Sequence, residues 1–127
     1  MSKQKTTLPS ELTTDEVNQY EATCQELATK YSAPKVHVCV QFKPDTNERV
    51  ISYVKEPNYE TKLYLMDKSG ELGMHMAGEE LRKICQLREE SDSLTYGDAW
   101  ECDKYKLGVA QFCLGIITIA LNQFKKK

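Results

Sequence analysis

Lys35–Phe42 reads KVHVCVQF, and the fold turns on its period. Val36, Val38, Val40 and Phe42 fall on one side of an extended chain, and Lys35, His37, Cys39 and Gln41 on the other. Alternation of that kind is the mark of a half-buried strand. KPDTNE follows at 43–48, where proline fixes φ and Asp45 and Asn47 tolerate a tight bend. RVISYVK at 49–55 then returns as a second strand, which predicts an antiparallel β-hairpin. A lone hairpin is marginal in water, so its valine face has to pack against helices.

The period before this stretch is different. TTDEVNQYEATCQELATKYS covers 13–32, with Val17, Tyr20, Cys24, Leu27 and Tyr31 spaced alternately by three and four. That spacing places one apolar stripe on an amphipathic helix. Thr13 is a candidate N-cap, with Glu16 three residues on to complete a capping box. Pro34 closes the helix, because the residue before a proline avoids helical backbone.

Beyond the hairpin, Asn58 caps a short predicted helix at 59–67, and the two glycines of KSGELG at 68–73 break it. A helix over 77–90 (AGEELRKICQLREE) follows, with Leu81, Ile84, Cys85 and Arg88 on one side. SDSLTYGD at 91–98 reads as a polar linker, and a last helix runs from about Asp98. The expected fold is α+β: an N-terminal amphipathic helix, a two-stranded antiparallel hairpin, and a bundle of three helices with the last one buried. Residues 1–12 are expected to be a flexible arm and 13–127 a single globular domain, a length that can build its own core.

LGVAQFCLGIITIALNQFKKK, residues 107–127, is the most apolar stretch. Crossing a bilayer takes roughly 20 predominantly apolar residues. The uninterrupted part, Leu107 to Leu121, has 15, among them Gln111 and Thr118. A buried core helix is the better reading, with Ile116 and Ile119 in its centre. No membrane association is expected.

Composition narrows the function. With 17 basic and 19 acidic residues the net charge is −2, unlike a chain whose main task is to neutralise nucleic-acid phosphates. The five cysteines, Cys24, Cys39, Cys85, Cys102 and Cys113, are scattered and odd in number. A disulfide framework is not expected, and a reducing cytoplasm is the natural compartment. His37 and Cys39 share a strand face but lack two more ligands at zinc spacing, so no metal is expected. As a thiol–imidazole pair they are conceivable, though residues two apart on a strand more often merely share a face; Cys102 sits between Glu101 and Asp103, which disfavour a thiolate. Asp92, Gly97 and Asp103 match positions one, six and twelve of a calcium loop, but Leu94 and Tyr96 fill positions that need oxygen ligands. The glycines match no phosphate loop. No catalytic residue and no cofactor is expected, and the tyrosines and Trp100 read as core or interface.

The order of features over residues 49–127 is that of a known group. An aromatic-Val-Lys-x-Pro strand end (YVKEP, 53–57) precedes a short helix, then AGEEL…C as a second helix, then an acidic ESD junction (90–92) into a final helix. This resembles the small tail assembly chaperones of tailed bacteriophages. The resemblance implies a non-enzymatic assembly protein of the host cytoplasm that self-associates and shields or recruits tape-measure and tail-tube proteins. For such a role the candidate partner surface is the Tyr20, Leu27 and Tyr31 side of the first helix and the outer side of the last, with Phe112 and Phe124. The alternative is a small cytosolic regulatory or ligand-binding module that uses the hairpin and the 70–80 loop.

Overall fold

The computed structural model describes residues 12–125, and side chains through residue 118. Of the arm expected over 1–12, residues 1–11 lie outside the described residues. The fold is α+β: α1 (Thr14–Lys30), β1 (Val36–Phe42), β2 (Arg49–Lys55), α2 (Tyr59–Leu72), α3 (Met74–Cys85) and α4 (Asp103–Lys125). β1 and β2 pair antiparallel, with Val38 opposite Tyr53 and Val40 opposite Ile51.

The capping box of α1 is formed. The Thr13 hydroxyl accepts from the Glu16 amide at 3.1 Å, and a Glu16 carboxylate oxygen accepts from the Thr13 amide at 3.0 Å. Leu12, placed by the sequence reading in the arm, is instead buried. It stands just before the cap and joins the same apolar cluster as Val17, which is the arrangement that fixes a helix's entry angle. At the hairpin turn, Asn47 takes φ 62°, and its amide donates to the Lys43 carbonyl at 2.9 Å.

The sheet is covered on both faces. On one, Val36, Val38, Val40 and Tyr53 pack under α1 through Leu27, with Tyr20, Cys24 and Tyr31 around them. On the other, Cys39 and Val54 join Leu65 of α2, Leu81 and Cys85 of α3, and Val109, Cys113 and Ile117 of α4. The sequence reading left that second face polar. It can be buried because its polar members find partners: Gln41 donates to the Tyr105 carbonyl at 3.0 Å, and His37 meets Glu56 at 2.7 Å. A buried polar group so paired avoids most of its desolvation cost.

Three boundaries differ from the expectation. α2 continues through Lys68–Leu72 and ends at Gly73, whose φ of 94° is the left-handed backbone that glycine tolerates. Gly70 lies inside the helix, because an isolated glycine weakens a helix without ending it. α3 therefore starts earlier, at Met74, and stops at Cys85 rather than Glu90. It packs closely on α4: a Cβ at Gly78 would stand 2.5 Å from the Ala110 carbonyl oxygen.

The supposed linker is built into the fold. The Leu87 amide donates to the Tyr53 carbonyl and the Asp92 amide to the Ile51 carbonyl, both at 2.8 Å, so residues 87–92 cover the outer edge of β2. Short 3₁₀ turns at Arg88–Glu90, Ser93–Thr95 and Trp100–Cys102 lead into α4. α4 is not buried all round. Val109, Cys113 and Ile117 form its inner stripe, Ile116 is half-buried, and Leu107, Gln111 and Gly115 lie exposed. The side chain of Ile119 is outside the described residues.

Candidate functional site

Three of the five cysteines come together in the core. Cys39, Cys85 and Cys113, from β1, α3 and α4, share one apolar cluster. Burial pushes the Cys39 thiol up to about 12 and the Cys85 thiol to about 11, and raises Cys113 as well. Thiols so raised stay protonated at neutral pH and are poor nucleophiles. The pairing of Cys39 with His37 weighed from sequence is replaced by another: the His37 ring turns to Glu56, whose other oxygen meets Lys62 at 2.9 Å. Burial works against the Glu56 carboxylate, but the bonds to His37 and Lys62 outweigh it and hold the group below its usual range. The Phe112 ring meets His37 edge-on at 6.4 Å. His75 is exposed. Among the described residues no three His, Cys, Asp or Glu side chains are grouped to hold a metal ion.

A second polar cluster lies between α3, β2 and the 86–95 segment. Arg82 donates to Glu79 and, at 3.2 Å, to Gln86. Gln86 in turn donates at 2.8 Å to both Ser52 and Thr95. Ser91 accepts from the Tyr53 amide at 3.0 Å and donates to the Leu87 carbonyl at 2.7 Å. Among the described residues no buried side-chain nitrogen or oxygen lacks a partner. The network is closed within the fold. Its effect is to fasten the 86–95 segment to the sheet. Asp92, first position of the weighed calcium loop, accepts from the Leu94 amide at 3.0 Å as a turn cap.

Two adjacent helices leave large apolar side chains exposed. Tyr59, Leu63, Tyr64 and Leu72 of α2, with Met76 and Ile84 of α3, are between 41% and 73% exposed. The spacing explains how they gather. Tyr59 and Leu63 stand one turn apart on α2, as do Lys68 and Leu72 after Tyr64, while Met76, Glu80 and Ile84 form a ridge along α3. The Tyr64 hydroxyl donates to Glu80 at 3.2 Å, joining the two helices edge to edge, and Lys68 lies 5.4 Å above the Tyr64 ring. The face is thus a helical hairpin with large apolar side chains outward and a few charges set among them.

The surface expected from sequence is placed differently. Leu27 is buried under the hairpin, and Tyr20 and Tyr31 pack around it; the Tyr31 hydroxyl also donates to Glu90 at 3.0 Å. That side of α1 is covered by the chain's own strands. Phe112 packs against the main core, and the Phe124 side chain lies outside the described residues. Ile84, grouped by the sequence reading on one side of its helix with Leu81 and Cys85, is exposed where those two are buried. The α2–α3 face was not singled out: Tyr59 and Tyr64 were read only as core or interface, and Leu63 as one position of a short helix. The signal available was that their helix carries more large apolar residues than one buried face requires.

No helix among the described residues is long and apolar enough to cross a membrane. No protein-family model matches the chain, and no curated protein and no solved structure matches it either.

Proposed function

We propose that this is a non-enzymatic interaction or assembly protein that joins other chains through the outer face of the α2–α3 hairpin. One observation carries the reading: six large apolar side chains on two adjacent helices stand open to water. Exposed apolar patches beyond a few hundred Å² mark interaction sites on soluble proteins. The inward-turned thiols and the closed polar network give support from the other side, since the groups capable of chemistry are engaged within the fold. The resemblance of residues 49–127 to tail assembly chaperones names the partner class: tape-measure and tail-tube proteins, met in the host cytoplasm.

The test is co-expression with the tape-measure and tail-tube proteins, followed by size-exclusion chromatography with light scattering. A co-eluting complex that is lost in the Leu63→Glu/Ile84→Glu double variant, with an unchanged melt, is the expected result. A chain that ignores both proteins overturns the chaperone role. A melting temperature raised by a small metabolite, with no protein bound, would put the ligand-binding module in its place.

A further inference from the structure

The two edges of the sheet are treated differently. At the ends of the hairpin the Glu56 amide donates to the Lys35 carbonyl at 2.8 Å, and the Lys43 amide to the Glu48 carbonyl at 2.9 Å. In that register the main-chain groups of Lys35, His37, Cys39, Gln41 and Lys43 turn toward β2, and those of Val36, Val38, Val40 and Phe42 turn away from it. On the outer edge of β2 the chain supplies partners. The Ile51 and Tyr53 carbonyls accept from the Asp92 and Leu87 amides, and the Tyr53 amide donates to Ser91. β1 has β2 as its one strand neighbour among the described residues. No hydrogen bond among those residues reaches the amides or carbonyls of Val36, Val38, Val40 and Phe42.

A row of main-chain donors and acceptors at every second residue is met in full by one kind of structure, another extended chain. Its setting defines that chain further. α1 packs on one face of β1 and α4 on the other, so an added strand enters between the two helices. Cys24 of α1 and Phe112 of α4 are half-buried on these two sides; the Lys35 charge acts on the Cys24 thiol, and the Phe112 ring meets His37. Side chains alternating from an added strand therefore meet apolar surface on both sides.

The ends of the edge are basic. Lys35 is exposed, and the Lys43 side chain is 40% exposed. A second copy paired antiparallel along the whole strand would set Lys35 opposite Lys43 of the other copy, and like charges directly opposite are destabilising. An acidic residue at each end of the added strand meets the same two lysines with attraction. We propose that the outer edge of β1 binds an extended segment of another protein, apolar in its middle and acidic at its ends, as a third strand of the sheet. Main-chain hydrogen bonds supply the affinity and the two lysines the choice of partner. This contact is separate from the α2–α3 face and does not rest on it.

Fluorescence anisotropy of a labelled peptide with the full chain tests this. The probe has seven alternating valines and threonines, the length of β1, between two glutamates at each end. Saturable binding at tens of micromolar is expected, weakened at least tenfold when lysines replace the glutamates. Lys35→Glu/Lys43→Glu should reverse that preference. Methylating the peptide's amide nitrogens keeps its side chains and charges but removes its donors, and should abolish binding without touching the protein. Hydrogen exchange read residue by residue gives a second measure. The amides of Val36, Val38, Val40 and Phe42 should exchange fast in the free chain and slowly with the peptide bound. Leu63→Glu/Ile84→Glu should change neither result, which separates this edge from the α2–α3 face. No binding, or binding that survives methylation, overturns the proposal. So does slow exchange of the four amides in the free chain. At the mass of one copy, 14.6 kDa, that result gives the edge to the chain's own residues, and at twice that mass to a second copy.

Discussion

α1 and the α2–α3 hairpin treat their apolar residues in opposite ways. α1 lays its stripe on the hairpin, so Leu27 is buried and Tyr20 and Tyr31 close around it. α2 gives only Leu65 fully to the core, while Tyr59, Leu63, Tyr64 and Leu72 stay outside. The difference lies in what each helix needs. A helix resting on a sheet spends one stripe on attachment. α2 and α3 spend Leu65, Ala77, Leu81 and Cys85 in the same way and still carry a second, outward set. Apolar residues beyond what attachment requires are the feature on which the proposed interaction face rests.

The largest effect should come from the inner side. Val109 is fully buried beside Cys113 and Leu81. Val109→Asp places an unpaired charge there and should cost more than about 4 kcal/mol, leaving the chain unfolded in a thermal melt. Ile116→Asp should cost clearly less, because Ile116 is half-buried at the rim of that cluster. The sequence reading had placed Ile116 in the most apolar window of a buried helix. Equal melting temperatures for the two variants would contradict the orientation of α4.

Leu27→Ala tests the covered face of α1. Removing a buried leucine side chain should cost about 3 kcal/mol in a urea titration. An effect below about 0.5 kcal/mol, the range of an exposed position, would move the Leu27 side of α1 to the surface and restore it as a candidate partner surface.

Acid should act next, on the ties between elements. The Thr13 amide and then Arg49 hold Glu16 low, Arg82 holds Glu79 low, and Lys30 with Tyr31 holds Glu90 low. Glu56 is lowered too, against its burial, by His37 and Lys62. A carboxylate depressed in the folded state binds fewer protons than in the unfolded chain. Its contribution is therefore complete above the ordinary value of 4.5 and is lost as pH falls below it. Urea midpoints should be flat from about pH 7 to 5 and drop below about pH 4.5. Glu56→Gln should make that drop shallower.

The pattern of legibility follows from range. The α1 cap, the stripe from Val17 to Tyr31, the hairpin and its turn at Asn47 were all readable, because each rests on residues a few positions apart. The 86–95 segment was not. Its fixation depends on Gln86 reaching Ser52, 34 residues away, and on amides finding the edge of β2, contacts that no local period announces. The second buried face of the sheet escaped for the same reason: His37 and Gln41 look solvent-bound until Glu56 and the Tyr105 carbonyl come to meet them. For the candidate site, the residue types were visible, but the choice between inward and outward faces depends on which helix lies behind, and that is a tertiary fact.

The smallest effect on stability should accompany the largest effect on function. Leu63→Glu/Ile84→Glu replaces two exposed side chains and should shift folding by no more than about 0.5 kcal/mol per site. The direct measurement is light scattering of the co-expressed tape-measure and tail-tube proteins with wild type and with this double variant, beside the melt of each. The account predicts a stoichiometric complex for wild type, none for the double variant, and melting curves that overlay. A complex that survives both glutamates, or a double variant that loses binding only by unfolding, would contradict the claim that the α2–α3 face is the working surface.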